Sequence, residues 1–405
     1  MKLWIILLLS ALGLTSCGRI AASDNNTNKP ILIEELSNDQ IDSILFCVNT
    51  EFKLQALDSL VDNIFTNLNG TLLIARNDTV IIRESKGYCK LYAHKKGYEK
   101  WSQSEFEKAR KETDNLINND TYYELASISK QFTAAAVLKL VDDEKLKLTD
   151  SLYKFYPELP YKNVTIHQLL SHTSGLPEYF DFPISWFDTS QLLTNQELIS
   201  VLAIQKPAVQ FNPGYNYKYT NTNYALLAAI VEKTADLRFE DYVRENIFRP
   251  AGMTKTFYIT ELESHPEIKR AYGHLGDKSE LPRYYLDGTV GDKGVYSTPE
   301  ELLRWKLSYF NKKNIIPEEL LKKATSKQNY IKGRGVAPEM YGYGLRIEDN
   351  KNFGKLIYHG GLWRGYQHVM VYRPEDETVI IFLSNFRNRA HIGKSNQILH
   401  LLDGA

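Results

Sequence analysis

Apolar and polar positions divide this chain into pieces of different period. The opening run, "MKLWIILLLSALGLTSC", has a lysine, then an apolar stretch, then small residues. That order predicts a secretory signal, too short and poorly flanked for a lasting membrane span. Residues 18–30, "GRIAASDNNTNKP", are polar and short of large apolar groups, which predicts a flexible tether. "FKLQALDSLVDNIFTNL" then places apolar residues at helical spacing. "GTLLIARNDTVIIRESKGY" predicts two antiparallel strands around an Asn-Asp turn.

Residues 95–120 are highly charged, with a helix-favouring middle and little apolar face. They predict a solvated helical excursion; a partner-binding segment is the alternative. From 127 to 310 helical patterns dominate, broken by Pro- and Gly-rich loops. The end returns to strands in "GKLIYHG", "GYQHVMVYRP" and "ETVIIFLSN", followed by a closing helix in "HIGKSNQILHLLDGA". Strands at both ends with helices between predict an α/β (α+β) fold. Its antiparallel sheet sets N- and C-terminal strands side by side, flanked by helices, with a mainly helical lobe inserted. The expected organisation is a leader over 1–16, a tether over 17–30 and one folded domain over 31–405.

Composition narrows the function. The 405 residues carry 49 basic and 49 acidic side chains, so the formal charge is zero. A general nucleic-acid binder needs excess positive charge to replace counterions, so nucleic acid is excluded as a partner. The histidines and cysteines lack metal-site spacing, and no metal or organic cofactor is implied. The leader ends in Leu14-Thr15-Ser16-Cys17, which resembles the bacterial lipoprotein cleavage box. That resemblance implies cleavage before Cys17, lipidation of its thiol, and an exported protein anchored to a membrane of the bacterial cell envelope. A plain signal peptide that happens to contain a cysteine is the alternative. Cys47 and Cys89 remain; a disulfide and two buried thiols are both open.

Candidate chemistry starts at "ELASISKQFTAAAVLKL", where Ser127 and Lys130 stand three residues apart before an Ala-rich apolar run. Residues i and i+3 on a helix are neighbours, so Lys130 can reach Ser127. Free N–H groups and the positive end of the helix dipole favour developing negative charge there. An acyl-transfer nucleophile needs such a proton acceptor and oxyanion donors. A free lysine, with a pKa of about 10.4, is a poor base at neutral pH, so burial has to lower it. Helix capping is the bland alternative for Ser127. The spacing alone is cheap: Ser151 and Lys154 repeat it in a loop-like setting.

Two further motifs follow in order. Tyr219-Thr220-Asn221 comes after a Pro-Gly turn and before an apolar helix; a phenol there can relay a proton and an amide can hold a substrate carbonyl. His359-Gly360-Gly361 lies on a predicted strand, where glycines permit close backbone approach. Each has decoys: Tyr309-Phe310-Asn311, His274-Leu275-Gly276 and His391-Ile392-Gly393.

Ser127-x-x-Lys130, Tyr219-x-Asn221 and His359-x-Gly361 together resemble the three motifs of the serine β-lactamase and penicillin-binding protein superfamily. The similarity is to its class C-like branch and covers roughly residues 50–400. It extends to "VTIHQLLSHTSGLPEY", "FNPGYNYKYTNTNYALLAAIVE", "IFRPAGMTKTFY" and "GDKGVYSTPEELLRW". The resemblance implies a β-lactamase/transpeptidase-like fold over 31–405 and a serine hydrolase acting on amide or ester bonds of a small-molecule or peptide substrate. It makes Ser127 the acylated nucleophile, Lys130 its base, Tyr219 a proton carrier and Asn221 a holder of the substrate amide. Gly361 and His359 would line the substrate strand, His359 with a charge that depends on pH. The N–H groups of Ser127 and Leu362 would form the oxyanion hole. His172 belongs to a block that is structural in that family, and Ser129 is expected to pack or to meet solvent. His359 stands where many relatives have lysine, which weakens a true β-lactamase and favours a D,D-peptidase- or D-aminopeptidase-like enzyme. An esterase using Ser127, or a non-catalytic penicillin-binding-like sensor, are the alternatives.

Overall fold

The computed structural model describes residues 61–63, 69–77, 79–91, 102–275, 280–331, 335–336, 340–387 and 394–403. The leader, the tether, Cys17, Cys47, His391 and all of the 52–68 helix except 61–63 lie outside the described residues.

The early hairpin forms as expected around its Asn-Asp turn, from β1 (Gly70–Arg76) and β2 (Thr79–Lys86). Asn77 takes the left-handed turn conformation, φ 46°, which Asn tolerates better than most residues. The charged excursion contains α1 (Gln103–Arg110), mostly exposed and started by a reciprocal capping box between Ser102 and Glu105. Then come β3 (Tyr123–Glu124), α2 (Lys130–Asp142), α3 (Asn221–Ala235), β4 (Phe257–Tyr258) and β5 (Val295–Ser297). The late strands are β6 (Tyr330–Ile331), β7 (Gly335–Val336), β8 (Arg346–Asn350), β9 (Gly354–Trp363), β10 (Tyr366–Arg373) and β11 (Thr378–Ser384). Helix α4 (Lys394–Asp403) follows.

The main sheet runs β2-β1-β11-β10-β9-β8 and is antiparallel throughout. First and last strands meet where β1 pairs with β11, Gly70 opposite Ser384. This is the expected α/β (α+β) arrangement. The apolar run of β11 is explained by its central place. Val379, Ile381 and Leu383 face the large core under the helical lobe, while Ile380 and Phe382 face a smaller core with Ile398, Leu399 and Leu402 of α4. Three short strands, ordered β3-β5-β4, tie the approach to α2 onto the loop before β5. The sequence pattern did not predict these, nor the polar edge strand β8: pieces of two to five residues carry too little period.

Helix α2 is buried on nearly all sides. Its Ala134, Ala135 and Ala136 leave room for close neighbours, and Phe132 makes edge contacts to Phe248 and Trp305, with ring centroids 5.1 and 4.9 Å apart. A helix fixed this firmly is a rigid base for whatever its first turn carries. Cys89 is a buried free thiol.

Candidate active site

Ser127 lies in a 3-10 turn, Ala126–Ser129, that runs directly into α2. Between Tyr123 and Leu138 every residue except Ser127 is buried. Ala126 holds φ at +51°, a left-handed conformation that costs an alanine about 1–2 kcal/mol. Strain of this kind at the residue before an exposed hydroxyl is typical of functional turns. Ser127 caps nothing. Its Oγ instead takes a hydrogen bond of 3.0 Å from Lys130 Nζ, which removes the capping alternative. Ser129 is fully buried and its Oγ accepts from Val295 N, so it is a packing residue.

Lys130 is fully buried. Its Nζ also reaches Asn221 Oδ1 at 2.8 Å and the Asp292 carbonyl at 2.7 Å. Burial lowers its pKa to about 8, against the opposing pull of Asp292 and Glu178, and with help from the Arg346 cation. A neutral amine there keeps two N–H donors for Asn221 and Asp292 and turns its lone pair to the Ser127 hydroxyl.

Asn221 opens α3 and is locked from behind by Glu178. One Glu178 oxygen accepts from Asn221 N at 2.8 Å and from Asn221 Nδ2 at 2.9 Å. The local cap, Thr220, makes no side-chain cap bond, so the distant carboxylate serves the helix start. Burial raises the Glu178 pKa while the Asn221 and Phe180 N–H groups pull it down. The amide is therefore oriented, oxygen toward Lys130 and nitrogen toward Glu178.

Tyr219 precedes α3, with its ring 5.0 Å from Lys130 Nζ and 5.1 Å from the Arg346 guanidinium. Its hydroxyl is buried and makes no full hydrogen bond, and Ser127 is the hydroxyl that acts on it. Burial pushes the phenol well above its usual pKa; Ser127 and Arg346 act the other way. His172 lies against Tyr219, ring centroids 4.4 Å apart, and its Nδ1 is engaged by Thr220 N at 3.1 Å. Burial and the nearby Lys130 keep this imidazole neutral, and it acts as a wall for Tyr219.

Strand β9 forms the other side. Strand β8 pairs with it only as far as Tyr358, so among the described residues no strand covers that edge from His359 to Trp363. Gly361 meets the nucleophile turn so closely that a Cβ there would stand 2.4 Å from Leu125 O and 3.3 Å from Ala126 Cβ. Leu362 is half exposed beside it. The expected pH-dependent charge at His359 is corrected by its surroundings. The ring is buried, Nε2 lies 3.0 Å from Tyr341 Oη and Nδ1 2.7 Å from Gly360 O. Burial, Arg346 and Lys130 push its pKa well below the usual value, so it is a neutral, internally engaged imidazole.

The decoys that fall on described residues are accounted for by structure. Ser151 caps the short helix Leu152–Phe155 while Lys154 pairs with Asp150 on the surface. Tyr309 stacks on Trp305, and Asn311 bonds Glu377. His274 is buried and accepts from Leu91 N. Sequence reasoning missed Glu178, Asp292, Tyr341 and Arg346. Glu178 and Asp292 fall inside "SHTSGLPEY" and "GDKGVYSTPEELLRW", so a signal was present; Arg346 sits on the short edge strand that went unpredicted.

A hydroxyl at a strained turn, a buried amine of lowered pKa, a phenol and an open strand edge define a centre built for serine acyl transfer. The chain belongs to the family described as Beta-lactamase, whose profile matches residues 61–404. It is a β-lactamase-fold serine hydrolase related to penicillin-binding proteins and D-aminopeptidases. It is 31% identical over 332 residues to a penicillin-binding protein of Bacillus subtilis, covering 78% of this chain and 68% of that one. With a D-aminopeptidase of Brucella canis it shares 22% identity over 83% of its length, and spans 60% of that protein. The solved structure of an octameric penicillin-binding protein homologue from Pyrococcus abyssi superposes with a TM-score of 0.68 at 26% identity, covering 86% of this chain and 77% of that one. A D-amino acid amidase from Ochrobactrum anthropi has the same fold, with a TM-score of 0.65 at 21% identity over 85% of this chain and 95% of its own.

Proposed function

We propose that this protein is an exported, lipid-anchored hydrolase that cleaves amide or ester bonds through an acyl-enzyme on Ser127. One observation carries the acyl-enzyme part: the buried Lys130 amine, its pKa lowered to about 8, stands 3.0 Å from the Ser127 hydroxyl; the export and anchor rest on the leader ending in Cys17. Neutral Lys130 takes the Ser127 proton as Oγ attacks the substrate carbonyl. The N–H groups of Ser127 and Leu362 receive the oxyanion. Tyr219 gives a proton to the leaving group and regains one from the Lys130 ammonium, whose Nζ lies 5.0 Å from its ring. Water then attacks the acyl carbon and gives a proton to Lys130, which passes it to Ser127 Oγ as the acyl bond to that oxygen breaks.

The neutral His359 places no cation on the strand edge, which favours amides and esters of D-amino acids over substrates gripped by a terminal carboxylate. Related proteins named as a D-aminopeptidase and a D-amino acid amidase support this direction. The test is a panel of D-amino acid amides, D-Ala-D-Ala peptides, p-nitrophenyl esters and a fluorescent penicillin, run beside Ser127→Ala. D-amide turnover lost in Ser127→Ala supports the reading. Ester turnover alone makes it an esterase, stable penicillin labelling without turnover makes it a sensor, and activity retained in Ser127→Ala overturns the mechanism. For the anchor, cells are fed a labelled fatty acid; absence of label from the protein, or equal label in Cys17→Ala, refutes it.

A further inference from the structure

Directly behind Lys130 lies a buried ion pair that the mechanism above does not use. Asp292 and Lys293 are neighbours in the chain, bracketed by Gly291 and Gly294, both at positive φ (99° and 96°). That backbone aims the Asp292 carbonyl at Lys130 Nζ, 2.7 Å away, while both side chains stay inside the protein. The Lys293 ammonium lies 3.6 Å from Asp292 Oδ1. It also donates to Tyr179 Oη at 2.8 Å, and Tyr179 Oη donates to Asp292 Oδ2 at 3.0 Å. Thr289 accepts from the same ammonium. The rings of Trp363, Phe180 and Tyr179 surround it, with centroids 5.2, 5.6 and 5.5 Å from Nζ.

A buried carboxylate beside a buried amine holds a proton on that amine. Asp292 is the strongest charge acting on Lys130 in this sense, followed by Glu178; Arg346 opposes them, and Glu124 adds to them. His172 and His359, the imidazoles nearest, are neutral. Burial and Lys130 lower the pKa of Lys293 itself, and Asp292, Asp287 and Glu124 oppose them. A lone Asp292 charge would therefore undo what burial does for the base. We propose that Lys293 is a positioning residue: it compensates the Asp292 carboxylate so that the neighbouring Lys130 can serve as a neutral base for Ser127. The ion pair with Lys293 leaves Asp292 free to orient Lys130 through its carbonyl. This rests on the acyl-enzyme reading, and it assigns a function to a pair that neither of the three motifs contains.

The test uses the full domain with three variants: Lys293→Met, Asp292→Asn and the two combined. Two readouts are taken for each. One is the pH dependence of Ser127 phosphonylation by a fluorophosphonate. The other is an NMR titration of the Lys130 side chain, which needs no turnover. Lys293→Met is expected to move both the acid limb and the Lys130 titration up by about one pH unit. Asp292→Asn is expected to move them down, and the double variant to return them near wild type. Lys293→Arg, which keeps the charge, should leave the titration close to wild type. Should Lys293→Met fail to fold, the downward shift in Asp292→Asn carries the decision. Unmoved titrations in the folded variants, or shifts of the same sign in both single variants, overturn the proposal. Absence of any Ser127 labelling in the wild type instead refutes the acyl-enzyme reading, while the NMR titrations still decide whether Lys293 governs Lys130.

Discussion

Lys130 presents its amine 3.0 Å from the Ser127 hydroxyl, at the one residue between Tyr123 and Leu138 that reaches solvent. The amine is buried and the hydroxyl is open, so the protein tunes the protonation of Lys130 while Ser127 stays accessible.

The rate of Ser127 acylation is expected to rise through about pH 8, because only the neutral amine takes the proton and burial sets its pKa near that value. Stopped-flow acylation by a p-nitrophenyl ester between pH 6 and 10 checks this. A flat profile over that range contradicts a Lys130 base.

The same burial has a cost in stability. In the unfolded chain a lysine keeps its proton to about pH 10.4, whereas folded Lys130 loses it near pH 8. Below pH 8 both states are protonated and the folded state bears the penalty of a buried cation. Between pH 8 and 10 the folded state binds fewer protons, so stability rises with pH. Relative to Lys130→Met, wild type should gain roughly 2–3 kcal/mol across that window in urea melts. A difference that stays constant or falls would show that the amine is not depressed.

Glu178→Gln removes a carboxylate oxygen that serves two donors of Asn221, its backbone N and Nδ2. A Gln amide misoriented there leaves a buried donor unpaired, costing about 1–3 kcal/mol. Asn221 also loses the clamp that turns its oxygen to Lys130. A drop of about tenfold or more in kcat/KM is expected, larger than the change in melting temperature alone explains, since a misplaced group of this kind costs up to ~100-fold. Activity assays and thermal melts of the purified variant measure both.

Gly361→Ala puts a methyl 2.4 Å from the Leu125 carbonyl, against the turn that carries Ser127. The strand must retreat by about 1 Å, which costs on the order of 100-fold in rate. Circular dichroism should show a folded protein and acylation assays a crippled one. Normal acylation would mean that the strand edge does not contribute to the site.

Ser151→Ala separates the two Ser-x-x-Lys copies. It removes the cap of Leu152–Phe155 and should cost about 1 kcal/mol with full activity, whereas Ser127→Ala should abolish activity with little loss of stability. Paired melts and assays decide it.

By itself, the sequence determined the order and type of the long elements. The apolar strand-length runs in "GTLLIAR" and "ETVIIFLSN", and the apolar helix pattern of "QFTAAAVLKL", are local and strong, and strands at both chain ends left one economical sheet. It also singled out Ser127, Lys130, Tyr219, Asn221 and His359 as ordered motifs: the first four stand at the start of apolar helices and His359 lies within a strand. What only the tertiary structure decided is how those groups are charged and held. The neutrality of His359 follows from Tyr341, Arg346 and the core around it, and the orientation of Asn221 follows from Glu178, 43 positions earlier. The Lys130 amine is held in place by Ser127, Asn221 and Asp292, up to 162 positions away, and burial lowers its pKa. Periodicity records which residues turn inward. The pKa of a buried group depends on distances to charges that only the packed chain brings together.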